Sequence, residues 1–498
     1  MKVVSCVRGE LLSIVGLYGR ISQGPERRWF TLWRMSAVRF RLSPTRELSR
    51  NKGEAVKCRT LDGDSPVAES ITSLRSDPSS MGHVESRVNQ QGPPCKAKYT
   101  SMQFSSLPSS ICLLTSLSTL SVDRCKLGAD ITIIGGLKSL EILSLLKSDI
   151  RILPKEIGQL VKLKLLDVSG CAKLKTISSG VLSCFTRLEE IYMGGNSIQW
   201  GQSSTASLAE LNTLSRLSTL EVQIQEAKAA PRNFFEGLQK LERYKIFIGD
   251  EWEWERECKC FGNYQYSRII NLGLSTSIED LDRGIKKLLK KTEDLHLDEL
   301  KGVKIALQEL TDEQSLSRLK NLHIQNGLDT EYITNDGIEF PQLQFLTLQN
   351  LPQLLSFCPQ HEASVPSSLP QQELPLFSEK ISFPCLEKLW LKSINVTRVW
   401  HHQLSTASFR TYDKLTTLKI EGCGSLKHLL SFSMAKCLMH LTDFEIIGCH
   451  CLREIVFMEE IEEETQATMT LFPQLKSFKA KGSSASDWIL LSLPNSSY

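Results

Sequence analysis

Five residues toward the C-terminal end could ligate a metal: Cys423, His428, Cys449, His450 and Cys451. Thiolate sulfur and imidazole nitrogen are the usual donors of a tetrahedral zinc site. The spacing argues against that chemistry. Residues 415–426 read LTTLKIEGCGSL and residues 441–452 read LTDFEIIGCHCL, so apolar residues and a Cys recur at the same offsets 26 residues apart. The short C-x-x-C hooks of common zinc modules are missing, and a fixed offset marks a structural unit used twice. The cysteines therefore read as bend residues, and no metal is expected.

Other reaction chemistry is equally thin. The chain has no G-x-x-x-x-G-K-[ST], no G-x-G-x-x-G with an acidic ribose partner, no H-E-x-x-H and no G-x-S-x-G. His296 and His323 each stand between two Leu or Ile residues, with no Ser or Cys nucleophile suggested beside them. They read as surface contacts rather than bases. The sequence predicts neither an enzyme nor a bound cofactor.

What the cysteines do mark is a periodic scaffold. LLTSLSTLSVDRCKL, LVKLKLLDVSGC and FTRLEEIYMGGNSI place apolar residues and a terminal Cys or Asn at the offsets of the two stretches above. The third apolar anchor falls at Leu120, Leu143, Leu166, Ile191, Leu220, Tyr244, Leu272, Leu295, Leu322, Leu346, Leu389, Leu418, Phe444 and Phe478. This period, with L-x-x-L-x-L-x-x-N/C-x-L, defines the leucine-rich repeat. In L-x-L the two apolar side chains point inward and the middle one outward, because successive strand residues alternate. No unit buries its apolar face alone, so neighbours must stack. The expected fold is an α/β solenoid: a leucine-rich repeat horseshoe with a concave parallel β-sheet and irregular, short helical or 3₁₀ convex segments.

The outward middle positions then become the candidate contacts: Asp167, Tyr192, Glu221, Lys245, His296, His323, Trp390, Lys419 and Glu445. Both charge signs and several aromatics suit protein recognition, in which a few aromatic anchors carry most of the energy. Trp252 and Trp254 lie two apart in an aromatic-rich, off-pattern stretch and form a second candidate surface.

Five segments follow. Residues 1–100 are Arg- and Ser-rich, with 17 Lys/Arg against 9 Asp/Glu and no apolar period, and are expected to be disordered. Residues 101–356 and 381–485 carry two repeat blocks. Residues 357–380 are a Pro/Ser-rich loop insertion, and 486–498 form a tail. An acidic loop, 458–468, precedes the last unit. The net charge of +3 over 498 residues gives little attraction for nucleic acid. No apolar run approaches a membrane span, and the N-terminal stretch is a poor secretory signal. Fifteen Cys without such a signal read as reduced thiols of a cytoplasmic protein.

Residues 106 to 480 resemble the repeat domain of plant intracellular immune receptors, the nucleotide-binding leucine-rich repeat class with a coiled-coil start. LPSSICLLTSLSTLSVDRC and ILPKEIGQLVKLKLLDVSGCAKLKTI are similar to its early repeats. LERYKIFIGDEWEW followed by IKKLLKKTEDLHLDEL looks like its middle segment. FPQLQFLTLQNLPQLLSF, FPCLEKLWLKSINVTRVW and LTTLKIEGCGSLKHLL resemble its late repeats. The resemblance implies recognition of a pathogen effector, a host guard target or a nucleotide-binding receptor chain in defence response. The family's phosphate loop is absent and Met439-His440 runs on into Leu441, so nucleotide binding is not implied. The expected function is that of a truncated protein-recognition module. A non-signalling gene fragment and a substrate adaptor of a ubiquitin ligase are the alternatives.

Overall fold

The computed structural model describes residues 95–482, except 102–106, 108, 129, 203, 250–266, 274–283, 309, 311–315, 336–337, 360–373, 379–380, 401–411 and 458–470. All described residues belong to the compact unit Lys57–Tyr498. Strands are numbered in chain order. Fifteen of them make one parallel sheet: β1 (Cys95–Thr100), β2 (Leu117–Asp123), β3 (Ile142–Ser144), β5 (Leu165–Asp167), β7 (Glu190–Met193), β8 (Thr219–Ile224), β9 (Arg243–Ile248), β10 (Arg268–Gly273), β11 (Asp294–Asp298), β12 (Asn321–Gln325), β13 (Phe345–Leu351), β15 (Lys388–Ile394), β17 (Thr417–Glu421), β19 (Asp443–Ile447) and β21 (Ser477–Lys481). Each pairs with its neighbour in that order, one strand per turn of a leucine-rich repeat solenoid.

Every anchor read from the sequence falls in one of these strands. The inward side chains are almost fully buried, from Leu120 and Leu143 through Leu322 and Leu389 to Leu418 and Phe444. One strand was not expected: β1 lies inside the segment 1–100 that showed no apolar period. It pairs with β2, but its buried Ala97 sits between exposed Lys96 and Lys98, too faint a pattern to register as a repeat.

The bend after each strand follows the expected chemistry. Ser148 Oγ donates to Val122 O at 2.6 Å, Cys171 Sγ to Leu145 O at 3.0 Å and Asn196 Nδ2 to Val168 O at 3.1 Å. Each donor ties its bend to a carbonyl of the preceding repeat, adding to the backbone bonds that Leu145 O takes from Ser148 N at 3.0 Å and Val168 O from Cys171 N at 3.4 Å. Cys423 takes the same place against Leu391 O at 3.8 Å, a longer and weaker contact. The residue before the bend is left-handed in most repeats: Arg124, Lys147, Gly170 and Gly195 in the first block, Asn326, Ser393, Gly422 and Gly448 in the second.

The reverse side of the coil changes along its length. Behind the first strands it consists of 3₁₀ turns at Thr132–Gly136, Lys155–Gln159 and Leu182–Cys184, with the short pair β4 (Ile152–Leu153) and β6 (Thr176–Ile177). Helical turns follow at Ala209–Asn212, Phe234–Gly237 and Gly284–Leu289. In the last third a second parallel sheet, β14 (Pro375–Phe377), β16 (Arg398–Trp400), β18 (His428–Ser431) and β20 (Glu454–Phe457), joins the reverse side, with a short helix at Phe432–Cys437 after β18. β14 falls within the stretch 357–380 expected to be a loop insertion, and its Leu376 and Phe377 are fully buried. Between the two sheets Phe340, Phe357, Phe377, Phe383, Trp400 and Tyr412 form one aromatic cluster; Phe357 and Phe383 meet edge to face at 5.3 Å.

Candidate functional site

Because the Leu and Ile residues of each L-x-L face inward, the residues between them share the opposite face of the long sheet. Cross-strand register orders them. Asp167, Tyr192, Glu221 and Lys245 are successive partners in one row. That row continues through Ile269 and Asp294 rather than through His296. His296, His323, Trp390, Lys419 and Glu445 belong to a second row, which also includes Asn271 and Thr347. The nine candidates thus form two lines, two residues apart along the strands. The slip arises at β8–β10. β8 and β9 each bury three inward residues instead of two, and the L-x-L of β10 is Ile270–Leu272, two residues before the anchor read at Leu272.

The first line is tied into polar contacts on its own strands. Asp167 Oδ1 accepts from Ser169 N at 2.9 Å and from Ser169 Oγ at 2.7 Å. Tyr192 donates its hydroxyl to Glu190, whose carboxylate also pairs with Arg243 at 3.1 Å. Lys245 Nζ lies 4.8 Å from the centroid of the Phe247 ring. Glu221 is half-buried against Gly194, where no side chain competes for the space.

The histidines depart from expectation. They are buried, at 7% exposure for His296 and 0% for His323, and they stack with ring centroids 5.7 Å apart. His296 Nε2 lies 2.6 Å from Asp294 Oδ1, and His323 Nε2 lies 3.0 Å from Gln325 Oε1. Burial, reinforced by the neighbouring His296, pushes the His323 imidazole down to about 3, so it is neutral near pH 7. Such a ring is a fixed wall of the face rather than an exposed charge.

The second line ends in charge and aromatic surface. Trp390 is flanked by Lys392 Nζ at 5.7 Å and Lys419 Nζ at 6.0 Å from its ring centroid. Lys419 pairs with Glu445 at 3.1 Å, and Lys479 reaches the same carboxylate at 3.4 Å. Burial alone would raise the Glu445 carboxyl. The hydrogen bond and charge of Lys419, joined by Lys479, outweigh it and hold the group below the usual carboxylate range.

Asn271, Asp294 and Asp298 lie on the same face and were missed. For Asn271 the sequence signal was present, a polar residue between Ile270 and Leu272, but the two-residue misplacement of β10 concealed it; Asp294 and Asp298 each have a Glu on one side and so carry no such signal. Trp252 and Trp254 lie outside the described residues. Among the described residues no group of three or more His, Cys, Asp or Glu could hold a metal ion, and no helix is long and apolar enough to cross a membrane. Burial pushes the Cys171 thiol up to about 12, as befits a structural bend residue rather than a nucleophile.

Residues 132–413 match the family described as leucine-rich repeat region. Residues 385–482 match the plant disease resistance protein RPS2-like leucine-rich repeats. A disease resistance protein of Arabidopsis thaliana is 24% identical over 333 residues, which are 65% of this chain but 32% of that protein's length. Among solved structures, a leucine-rich repeat protein of Leptospira interrogans aligns at 17% identity and a TM-score of 0.42, covering 77% of this chain and 89% of that one. An internalin of Listeria monocytogenes aligns at 13% identity and a TM-score of 0.36, covering 77% and 78%.

Proposed function

The chain belongs to the leucine-rich repeat family, and from that premise, together with the match of residues 385–482 to plant disease resistance repeats, we propose that it is the protein-recognition module of a plant intracellular immune receptor. Its ligand is a pathogen effector, a host guard target or a nucleotide-binding receptor chain. The observation that carries this reading is the outward face of the long sheet. There, charged and aromatic side chains from consecutive repeats stand in fixed register on a fully packed apolar core. Such a face offers pre-ordered contacts at little entropic cost. Trp390 between Lys392 and Lys419 has the composition of an interface anchor.

The mechanism is differential binding. A partner that docks on the face only in one receptor state biases the equilibrium toward that state, by no more than its difference in affinity. The chain acts in the cytoplasm, consistent with free thiols at Cys171, Cys423 and Cys449.

Affinity capture from pathogen-challenged plant tissue tests the reading. The bait is the full chain, compared with a variant carrying Tyr192→Ala, Trp390→Ala and Lys419→Ala, and with Glu454→Ala on the second sheet as control. Specific partners retained by the control and lost by the triple variant are the expected result. The same partners on all three baits would place recognition elsewhere.

A further inference from the structure

Six cations crowd one edge of the first turns. Where the chain leaves β2, β3 and β5, residues 124–127, 147–151 and 170–175 carry Arg124, Lys126, Lys147, Arg151, Lys173 and Lys175, all exposed. Asp149 is the one acidic residue in these three stretches. Its Oδ1 accepts from Leu127 N at 2.9 Å, and its Oδ2 lies 3.8 Å from Lys173 Nζ. Arg124, Lys126, Arg151 and Lys175 have no ion pair among the described residues.

Backbone bonds hold the turns in step. Arg124 N donates to Leu146 O at 2.7 Å and Lys147 N to Ser169 O at 2.8 Å, so Arg124, Lys147 and Gly170 share one column. Lys175 N donates to Arg151 O at 3.1 Å, which sets those two side by side in a second column. With neighbouring strands about 4.8 Å apart, the six charges lie within roughly 10 Å along the coil. In the next turn Gly195, Ser197 and Gln199 take these places, and the strip ends.

The backbone supplies a second, independent observation. Arg124 has φ of +56° and Lys147 of +55°, in the left-handed region that long L side chains enter only at a cost. Glycine, which bears no such cost, stands in that column at Gly170 and Gly195. The Lys147 stem lies over Gly170, where a Cβ would meet its Cγ at 3.0 Å. Like charges in adjacent turns also repel. The chain thus keeps cations where backbone and electrostatics both favour their absence, and strain of this kind gathers at sites of contact.

We propose that this strip receives an acidic segment of the protein partner. The inference rests on the recognition reading above and adds the chemistry of one partner surface. Strip and face are continuous, since Arg124 directly follows Asp123, the last residue of β2. The adjoining face carries the carboxylates of Asp123, Asp167 and Glu190. A uniform polyanion such as nucleic acid would be repelled where it overran the strip. A folded protein confines its carboxylates to the strip and meets the face with other groups.

The probe is a fluorescein-labelled peptide of six Gly-Glu repeats, with Gly-Gln repeats as the neutral control, titrated against the full chain by fluorescence anisotropy. Binding of the acidic peptide alone is expected, weakening as salt rises from about 50 to about 200 mM. Arg124→Gly with Lys147→Gly should weaken it about fivefold while Tm stays level or rises. Merely structural residues would lower Tm together with binding. Arg151→Gln with Lys175→Gln leaves the left-handed positions alone and should give a similar loss. Lys427→Gln with Arg453→Gln, a stacked pair in the last turns, removes equal charge and should leave binding intact. An oligothymidylate of equal charge should bind more weakly than the peptide. No binding of the acidic peptide, tighter binding of the oligothymidylate, retention of binding by either strip variant, equal loss with the Lys427 and Arg453 pair, or a fall in Tm with both strip variants would each overturn the proposal. If the peptide fails while capture still depends on Tyr192, Trp390 and Lys419, recognition by the face stands and the strip takes no part in it.

Discussion

The first and last thirds of the solenoid meet the same requirement by different means. From β2 to β7 the coil is closed by 3₁₀ turns over a Leu- and Ile-dominated core, and the outward face carries Ser121, Asp123, Ser144, Asp167 and Glu190. From β15 to β21 a second sheet closes much of the coil, rings fill its core and the outward face carries Lys388, Trp390, Lys392, Lys419 and Lys479. The difference teaches that the L-x-L strand is the invariant of the repeat, while the return path adapts to the volume that must be filled. It also gives one continuous sheet two polar characters: hydroxyl and carboxylate at one end, tryptophan among lysines paired with Glu421 and Glu445 at the other.

The largest contrast to test lies in the two cores. Phe383 touches the rings of Phe340, Phe357, Phe377 and Tyr412, so Phe383→Ala is expected to cost about 3–5 kcal/mol in urea unfolding. Leu166→Ala, in the turn-backed region, is expected at about 2–5 kcal/mol and below Phe383→Ala in the same experiment. A larger loss at Leu166 would reverse the view that the sheet-backed region is the more tightly interlocked.

Acid should separate the middle of the face from its lysine-rich end. The folded chain resists protonating His323 until about pH 3, whereas the unfolded chain takes that proton near 6.5. The unfolded state then binds more protons between these limits. Stability is complete above pH 6.5 and falls as pH drops, by about 1.4 kcal/mol per unit at most. His323→Leu should flatten that slope when unfolding free energy is followed from pH 7 to 5. Glu445 has a lowered folded value, so its contribution is present above the ordinary carboxyl value of 4.5 and disappears only at lower pH. Lys419→Met should therefore leave the slope between pH 7 and 5 unchanged.

Smaller effects sharpen the comparison of bends. Asn196→Ala removes two donated hydrogen bonds, to Val168 O and Met193 O, and leaves Val168 O with only the long bond from Cys171 N at 3.4 Å; a loss of about 1–3 kcal/mol is expected from thermal or urea unfolding. Cys423→Ala, which removes only weak and long thiol contacts, should cost less. The smallest predicted change is a gain. Lys147 is exposed and left-handed at a place where Gly170, Gly422 and Gly448 stand in other repeats, so Lys147→Gly should stabilise the chain by up to about 1 kcal/mol in the same assay. No gain there would mean that the Lys147 stem, packed beside Gly170, offsets the cost of its backbone conformation.

The placement of Cys171, Asn196 and Leu166 was legible because bend, donor and anchor are local and recur every turn. The candidate face was legible only in part. Alternation identifies His323 as outward, but whether an outward residue is exposed depends on neighbours contributed by other repeats. That is why an expected surface contact is a neutral, buried ring. Asn271 was invisible for a related reason: β9 extends its inward run from Tyr244 to Ile248, and only strand pairing reveals that the following unit starts two residues earlier.

The sequence by itself determined the repeat, the direction in which each L-x-L residue points, and the chemistry of each bend, since all three follow from alternation and from a small donor side chain that recurs once per turn. Only the tertiary structure decided the rest. The two-residue slip, the second sheet behind β15–β19 and the burial of His323 arise from register and packing between repeats. No single repeat contains the partner that fixes them.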